Sequence, residues 1–287
     1  MIELFYLWYN EIVDHVNIEG TKMNILKIIQ SLEPVFIEAG KLASRLRDGA
    51  EIGTKLGSGI KEIDVVTSAD LAVQEFVLQK MLETDLVKCE LVAEEDTPSR
   101  IKFAKKSDTV ITLDPIDGTH NYVTGQKLYS IIVTLHNKKS PIYTFMYFPE
   151  VAWGLRILGL EISFFGDEPK GEIIATDPKK VIGYTNYKGS TDPRKTIPDL
   201  YIKLANEGYK FKQKENLGKM LGPVLFFITG VTGGIFIENP SAVDGLVCLH
   251  YGLAKKYKIW NHIDISVPSP SELGGTDEYK GYYIVLR

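Results

Sequence analysis

Apolar side chains between Met23 and Arg47 recur with a helical period, through Ile25, Ile28, Ile29, Leu32, Phe36, Ala39, Leu42, Ala43 and Leu46. Pro34 interrupts the run. It lacks an amide hydrogen and crowds the preceding turn, so it predicts a kink or a junction between two helices. DGAEIGTKLGSG (48–59) follows as a glycine-rich flexible connection, and its Gly57-x-Gly59 pair lacks the third glycine of a dinucleotide fingerprint. IDVVTSAD (63–70) reads as a short strand turning into a helix. Thr67 or Ser68 is the expected N-cap, and Leu71, Val77, Leu78, Met81 and Leu82 the buried face.

Alternation takes over further on. KCELVAEED (88–96) is a strand ending in acid, TVITLDPIDGT (109–119) is another, and 128–150 is a long hairpin turning at Asn137–Ser140. AWGLRI and EISFFG continue the β-rich stretch. After about Lys180 strands and helices alternate: VIGYTNY a strand, DPRKTIPDLYIKLANEG a helix, LGPVLFFITG a buried helix or strand, and GGIFIEN a strand. PSAVDGLVCLHYGLAKKY is then a helix with Asn239 as N-cap and Pro240 at its first position. The order predicts an α+β half over 23–165 and an α/β half over 166–287 that completes the site, packed without a linker. Residues 1–22 carry an apolar run that is short, holds Glu3 and has no basic flank. They read as an appendage packed on the body or on a partner chain, neither a signal peptide nor a membrane span.

Composition narrows the function classes. The 287 residues are 44% hydrophobic and 24% charged, an ordinary globular balance, and the net charge of −4 comes with scattered Lys and Arg. That distribution argues against a nucleic-acid polymer or an anionic membrane as the main partner. Cys89 and Cys248 have no CxxC spacing, so buried packing in a reducing, cytoplasmic compartment is the expectation.

Candidate chemistry lies in the acids. Glu94, Glu95, Asp114 and Asp117 fall just past the ends of predicted strands, where layered α/β folds build sites. Pro115 restricts the path from Asp114 to Asp117, and a tight turn there can aim both carboxylates and a backbone carbonyl at one point. Packed carboxylates raise each other's pKa unless a cation neutralises them, and hard oxygen ligands suit Mg²⁺ or Mn²⁺ better than zinc. A short helix predicted to start at Thr119 or His120 adds backbone N–H groups for a phosphate oxygen. Each piece alone has a plainer reading: Asp70 and Asp244 in first helical turns complement the helix dipole, and Asp-Pro and Asp-Gly are common turn dipeptides.

LDPIDGTHN, with VVTSAD upstream, AEED between and VDG downstream, resembles the inositol monophosphatase family, whose relatives include fructose-1,6-bisphosphatases and 3′(2′),5′-bisphosphate nucleotidases. The resemblance implies a five-layer αβαβα sandwich and a Mg²⁺-dependent, lithium-sensitive, dimeric phosphatase using two to three ions per site. Glu94, Asp114 and the Ile116 carbonyl would bind the first ion. Asp114, Asp117 and Asp244 would bind the second, with Glu94 helping to hold a weaker third. Thr119, positioned by Asp70, would orient or deprotonate the attacking water, and the Gly118 and Thr119 amides would hold phosphate oxygens. Leu4–Tyr9 is a candidate contributor to the dimer.

Val243 stands where the family usually has Trp, and the segment after Asp244 also departs, which leaves the substrate open among small polyol and sugar phosphates. Alternatives are a bisphosphate nucleotidase or fructose-bisphosphatase-like activity, or a non-catalytic relative that binds a phosphorylated ligand. His250 and Tyr251 could face the altered pocket, but beside Leu246, Leu249 and Leu253 a packed histidine is expected. Lys255, Lys256 and Lys258 read as a solvated helix face.

Overall fold

Leu32 separates two helices, α1 (Gly20–Ser31) and α2 (Glu33–Leu46), with Pro34 in the first turn of the second, where no amide hydrogen is missed. The computed structural model describes residues 20–54, 65–173, 176–184, 191–213, 216–219, 222–265 and 278–287. The expected appendage, but for the start of α1, lies outside the described residues, as do Leu4–Tyr9 and the Gly57-x-Gly59 pair. The first part of the connection after α2, residues 51–54, holds a short strand. β1 (Ile52–Thr54) pairs antiparallel with β2 (Val65–Thr67), Gly53 opposite Val66.

Helix α3 (Ser68–Leu82) is capped by Thr67, whose hydroxyl accepts from the Ala69 and Asp70 amides while Asp70 reaches back to the Thr67 amide. This reciprocal cap fixes the strand-to-helix corner. Ala69, Val73, Val77, Leu78 and Met81 are buried, whereas Leu71, two positions before Val73 and so on the opposite side of the turn, is 41% exposed.

A six-stranded sheet follows in the order β3-β4-β5-β6-β7-β8. β3 (Glu90–Ala93) runs parallel to β4 (Val110–Asp117), and helix α4 (Thr119–Val123) bridges β4 to β5 (Ser130–His136). β6 (Pro141–Phe148), β7 (Trp153–Leu158) and β8 (Glu161–Phe165) complete an antiparallel meander. The β5–β6 turn is the expected one, with the Asn137 side chain accepting from the Lys139 and Ser140 amides. β9 (Glu172–Ile173) is a short strand that pairs with a later one. β10 (Val181–Tyr184) then opens the second sheet.

Beyond it, the single helix expected over DPRKTIPDLYIKLANEG is two, α5 (Pro193–Thr196) and α6 (Pro198–Asn206). Pro198 pushes Ile197 out of helical geometry, to φ −136 and ψ 52. Next come β11 (Lys210–Gln213), β12 (Gly218–Lys219) pairing with β9, helix α7 (Pro223–Ile228), and β13 (Gly234–Glu238). Helix α8 (Val247–Ala254), β14 (Lys258–Asn261) and β15 (Tyr282–Leu286) complete the chain. The second sheet has the order β11-β10-β13-β15-β14. Asn239 is no helix cap, since it has φ +43 at the end of β13; residues 241–246 are turns and α8 starts only at Val247. Lys258 lies in β14, not on a helix face.

Three cores define five layers. α1–α3 pack on one face of the first sheet through Ile29, Phe36, Val77, Ile111, Val133 and Phe145. The opposite face meets α7, α8 and the second sheet through Trp153, Leu155, Phe226, Leu249 and Val285. The far face of the second sheet is covered by α5 and α6 through Ile182, Ile197, Leu204 and Phe236. This is the αβαβα sandwich, and the helices of the middle layer have both neighbours as sheets, hence their nearly unbroken apolar sequence. No helix among the described residues is long and apolar enough to cross a membrane.

His250 belongs to that middle core and is fully buried. Its Nε2 lies 3.0 Å from the Gly159 carbonyl and its Nδ1 2.8 Å from the Thr144 hydroxyl. Both free cysteines are buried too, and burial pushes the Cys89 thiol up to about 11.

Candidate active site

Strand β4 runs through the acidic motif rather than ending before it. Asp114 pairs with Ile132 and Asp117 with Ser130, so three steps on β4 match two on β5. That one-residue bulge matters because strand side chains alternate faces: residues three apart in a regular strand would point in opposite directions. The extra residue restores parity and lets both aspartates face one side. Pro115, with no amide to donate, is suited to this break, and the Ile116 amide donates to Asp114 Oδ1 at 3.0 Å. Ser130 Oγ donates to Asp117 Oδ2 at 2.9 Å.

Asp244 arrives from the other sheet. It sits in the 241–246 turn, which two tyrosine and threonine hydroxyls pin: Tyr283 donates to the Gly245 carbonyl at 2.6 Å and Thr112 to the Val243 carbonyl at 3.4 Å. Thr112 is two residues before Asp114 on β4, so it shares that face and draws the turn to it. Gly245 is required here, because a β-carbon would come within 2.4 Å of Pro240.

Asp114, Asp117 and Asp244 each offer an oxygen, and these oxygens all lie within 4.8 Å of one another. Glu94, at the end of β3, hydrogen-bonds Asp114. Burial, then the charges of Glu94, Asp117 and Asp244, hold the Asp114 carboxyl well above the usual carboxylate range. Burial and the charges of Asp117 and Glu94 push Asp244 up to about 8. Four acids so placed keep their charge only against a cation. Close-set carboxylate oxygens form a hard donor set of the kind that suits Mg²⁺, and the residues present fit it.

The remaining expected residues surround this centre. Gly118 has φ +84, a left-handed turn out of β4 into α4. Thr119 is half-buried at the start of α4, and its hydroxyl donates to the Ile116 carbonyl at 3.1 Å. Asp70 is fully buried at the β2–α3 corner, where its Oδ2 accepts from both the amide and the hydroxyl of Thr67 at 2.7 Å. Helix α4 packs against β2, and the Asp70 charge, after burial, helps push the Tyr122 phenol up to about 12. The structure thus gathers Glu94, Asp114, Asp117 and Asp244, keeps Ile116 between two of them on β4 with its carbonyl accepting from Thr119, and sets Asp70 at the corner against which α4 packs.

Sequence reasoning overlooked Gln74. Its side-chain amide accepts from the Glu95 N–H at 2.9 Å and donates to the Glu95 carbonyl at 2.6 Å, pairing with the backbone beside Glu94 as a strand would. The available signal was a polar residue in the buried stripe of α3, between Val73 and Val77 and one turn after Asp70. Ser130 and Ser241, which steady Asp117 and Asp244, carried no comparable signal.

Comparison with known proteins bears on the family and the fold. The model of the inositol monophosphatase family matches residues 27–181. Inositol monophosphatase 3 of Solanum lycopersicum is 25% identical over 153 residues, 53% of this chain and 53% of that protein. An inositol monophosphatase of Dictyostelium discoideum is 32% identical over 87 residues, 30% of this chain and 31% of that protein. The chain therefore spans about half, or less, of the length of the curated relatives it matches. An IMPase/NADP phosphatase solved with Mg²⁺ and phosphate superposes with a TM-score of 0.59 at 18% identity, covering 91% of this chain and 92% of that one, which is a likeness of fold.

Proposed function

The chain belongs to the inositol monophosphatase family, and on that premise we propose that it is a Mg²⁺-dependent phosphomonoesterase acting on a small polyol or sugar phosphate. The observation that carries the reading is the convergence of Asp114, Asp117 and Asp244, with Glu94 bonded to Asp114, from two sheets onto one point. Glu94, Asp114 and the Ile116 carbonyl would hold one ion, Asp114, Asp117 and Asp244 a second, and Glu94 would help with a weaker third. Bound there, Mg²⁺ (or Mn²⁺) supplies charge neutralisation for the phosphate and leaving oxygen and acidifies water.

The chain's own groups do the rest. The Gly118 and Thr119 amides donate to phosphate oxygens and fix the phosphorus in line for attack. The Thr119 hydroxyl, beside the Ile116 carbonyl, orients the attacking water. Asp70 acts at one remove by bracing the corner against which α4 packs. Both halves, 23–165 and 166–287, supply ligands, so neither is active alone. Lithium inhibition, a homodimer and a cytoplasmic location complete the reading; the last is supported by two buried free thiols.

The test is phosphate release by the purified chain across a panel of phosphomonoesters, ranked by kcat/KM. Turnover should require Mg²⁺ or Mn²⁺, vanish in Asp117→Asn and fall with millimolar Li⁺, and the full chain should sediment as a dimer. Full turnover in Asp117→Asn refutes the mechanism. Preference for a nucleotide bisphosphate or fructose 1,6-bisphosphate would select those relatives instead. Metal binding without turnover on any phosphomonoester would mark a non-catalytic ligand binder.

A further inference from the structure

Helix α4 is five residues long, too short to hold itself, and on the backbone side its Tyr122 and Asn121 carbonyls are met by the Gly125 and Gln126 amides of the turn that follows. One side chain collects these carbonyls as well. Arg47, just past the end of α2, donates from Nε to the Tyr122 carbonyl at 2.9 Å and from Nη2 to the Asn121 and Gln126 carbonyls at 3.3 and 2.5 Å. Its Nη1 lies 3.5 Å from Glu150, which also accepts from Tyr129 at 2.8 Å. The guanidinium stands 5.6 Å from the Tyr122 ring centre and 5.2 Å from that of Tyr129. Those tyrosines are themselves tied to α2, Tyr122 donating to the Ala43 carbonyl and Tyr129 paired with Ser44.

We propose that Arg47 is a positioning residue of the active site: a strut from the outer helical layer that fixes α4, and through it Thr119 and the Gly118 turn, against the carboxylates of β4. This inference rests on the reading of the site given above. Arg47 lies on the C-terminal side of α4, whereas Thr119 and Gly118 are at its start, so it acts on the reacting centre only through the short helix. Lysine cannot replace it. Three carbonyls and a carboxylate are met by three nitrogens of one planar fork, and an ammonium is a single point. None of the proposed metal ligands is among its partners. Losing the strut should therefore misplace the water-orienting hydroxyl without emptying the metal site.

Arg47→Lys, Arg47→Ala and Arg47→Met in the full chain separate the possibilities, assayed beside wild type on its best phosphomonoester. Expected is a kcat lower by about ten- to a hundredfold, the scale of a small misplacement of reacting groups. The Mg²⁺ concentration for half-activation should stay within about threefold, the tolerance set for a site whose ligands are untouched. Millimolar guanidinium should restore part of the kcat of Arg47→Ala and none to Arg47→Lys, whose ammonium fills the space. A kcat unchanged in Lys and Met variants, a fall with a matching loss of Mg²⁺ affinity, or no rescue would overturn the strut. Amide deuterium exchange over 118–128 reads it independently of turnover: it should accelerate in Arg47→Met, and unchanged exchange overturns the proposal. A wild type without turnover refutes the function, while accelerated exchange in that same protein leaves the strut standing.

Discussion

Replacing His250 with Gln should remove part of the protein's acid sensitivity. The imidazole is fully buried between the sheets, and a carbonyl can only accept, so Nε2 carries the proton given to Gly159. The neutral ring then accepts at Nδ1 from Thr144. Burial pushes the folded-state value down to about 4, against 6.5 for a free histidine. A depressed value means the unfolded chain binds the proton more readily. Stability from this group is therefore present above about pH 6.5 and lost as pH falls toward 4. With each pKa unit worth about 1.4 kcal/mol, the two values give a loss of about 2 kcal/mol between pH 7 and pH 5.

Other groups titrate in the same window. Buried His136 faces Tyr279 and Lys138 and is also depressed to about 4, while Asp114 and Asp244 are raised and act in the opposite sense. The difference between wild type and variant cancels them. Urea unfolding followed by tryptophan fluorescence at pH 7, 6 and 5 should show His250→Gln less stable at pH 7. The gap should shrink by about 2 kcal/mol at pH 5. Parallel pH dependences for the two proteins would refute the argument.

Gly118→Ala forces a β-carbon into a left-handed φ of +84 and should cost about 1–2 kcal/mol by thermal or urea melting, with kcat falling further than stability. Gln74→Leu strips two backbone partners from Glu95 beside Glu94. It should destabilise by roughly 1–3 kcal/mol for the unsatisfied buried groups and raise the Mg²⁺ needed for half-activation, read by titrating metal against rate. Arg287, whose guanidinium lies over Phe227 and Tyr257, should tolerate Lys poorly, with a lower melting temperature and unchanged kcat.

Local chemistry made much of this legible beforehand. The Pro34 break, the Thr67 cap, the hairpin at Asn137 and the short helix starting at Thr119 depend on neighbours within a few residues, and each was visible in sequence. Contacts across the molecule were not. Residues 241–246 read as helix because their propensities permit one, but Tyr283 and Thr112, the latter 131 residues from Val243, hold that segment as a turn. Gln74 stayed hidden because its partner, the Glu95 backbone, is 21 residues away. The acids themselves were found from sequence. The bulge that makes two of them face the same way was visible only as a proline and a spacing.

That bulge has a consequence for how such a site can be lost. Its chemistry depends on a count of residues as well as on their identity, so adding one residue to β5 between Ser130 and Ile132 would match three steps with three and regularise the ladder. The sheet would close more neatly, with every acid still present in the gene, yet one carboxylate would face the wrong layer. A descendant changed in this way would look intact in composition and fold while its catalytic centre was out of phase.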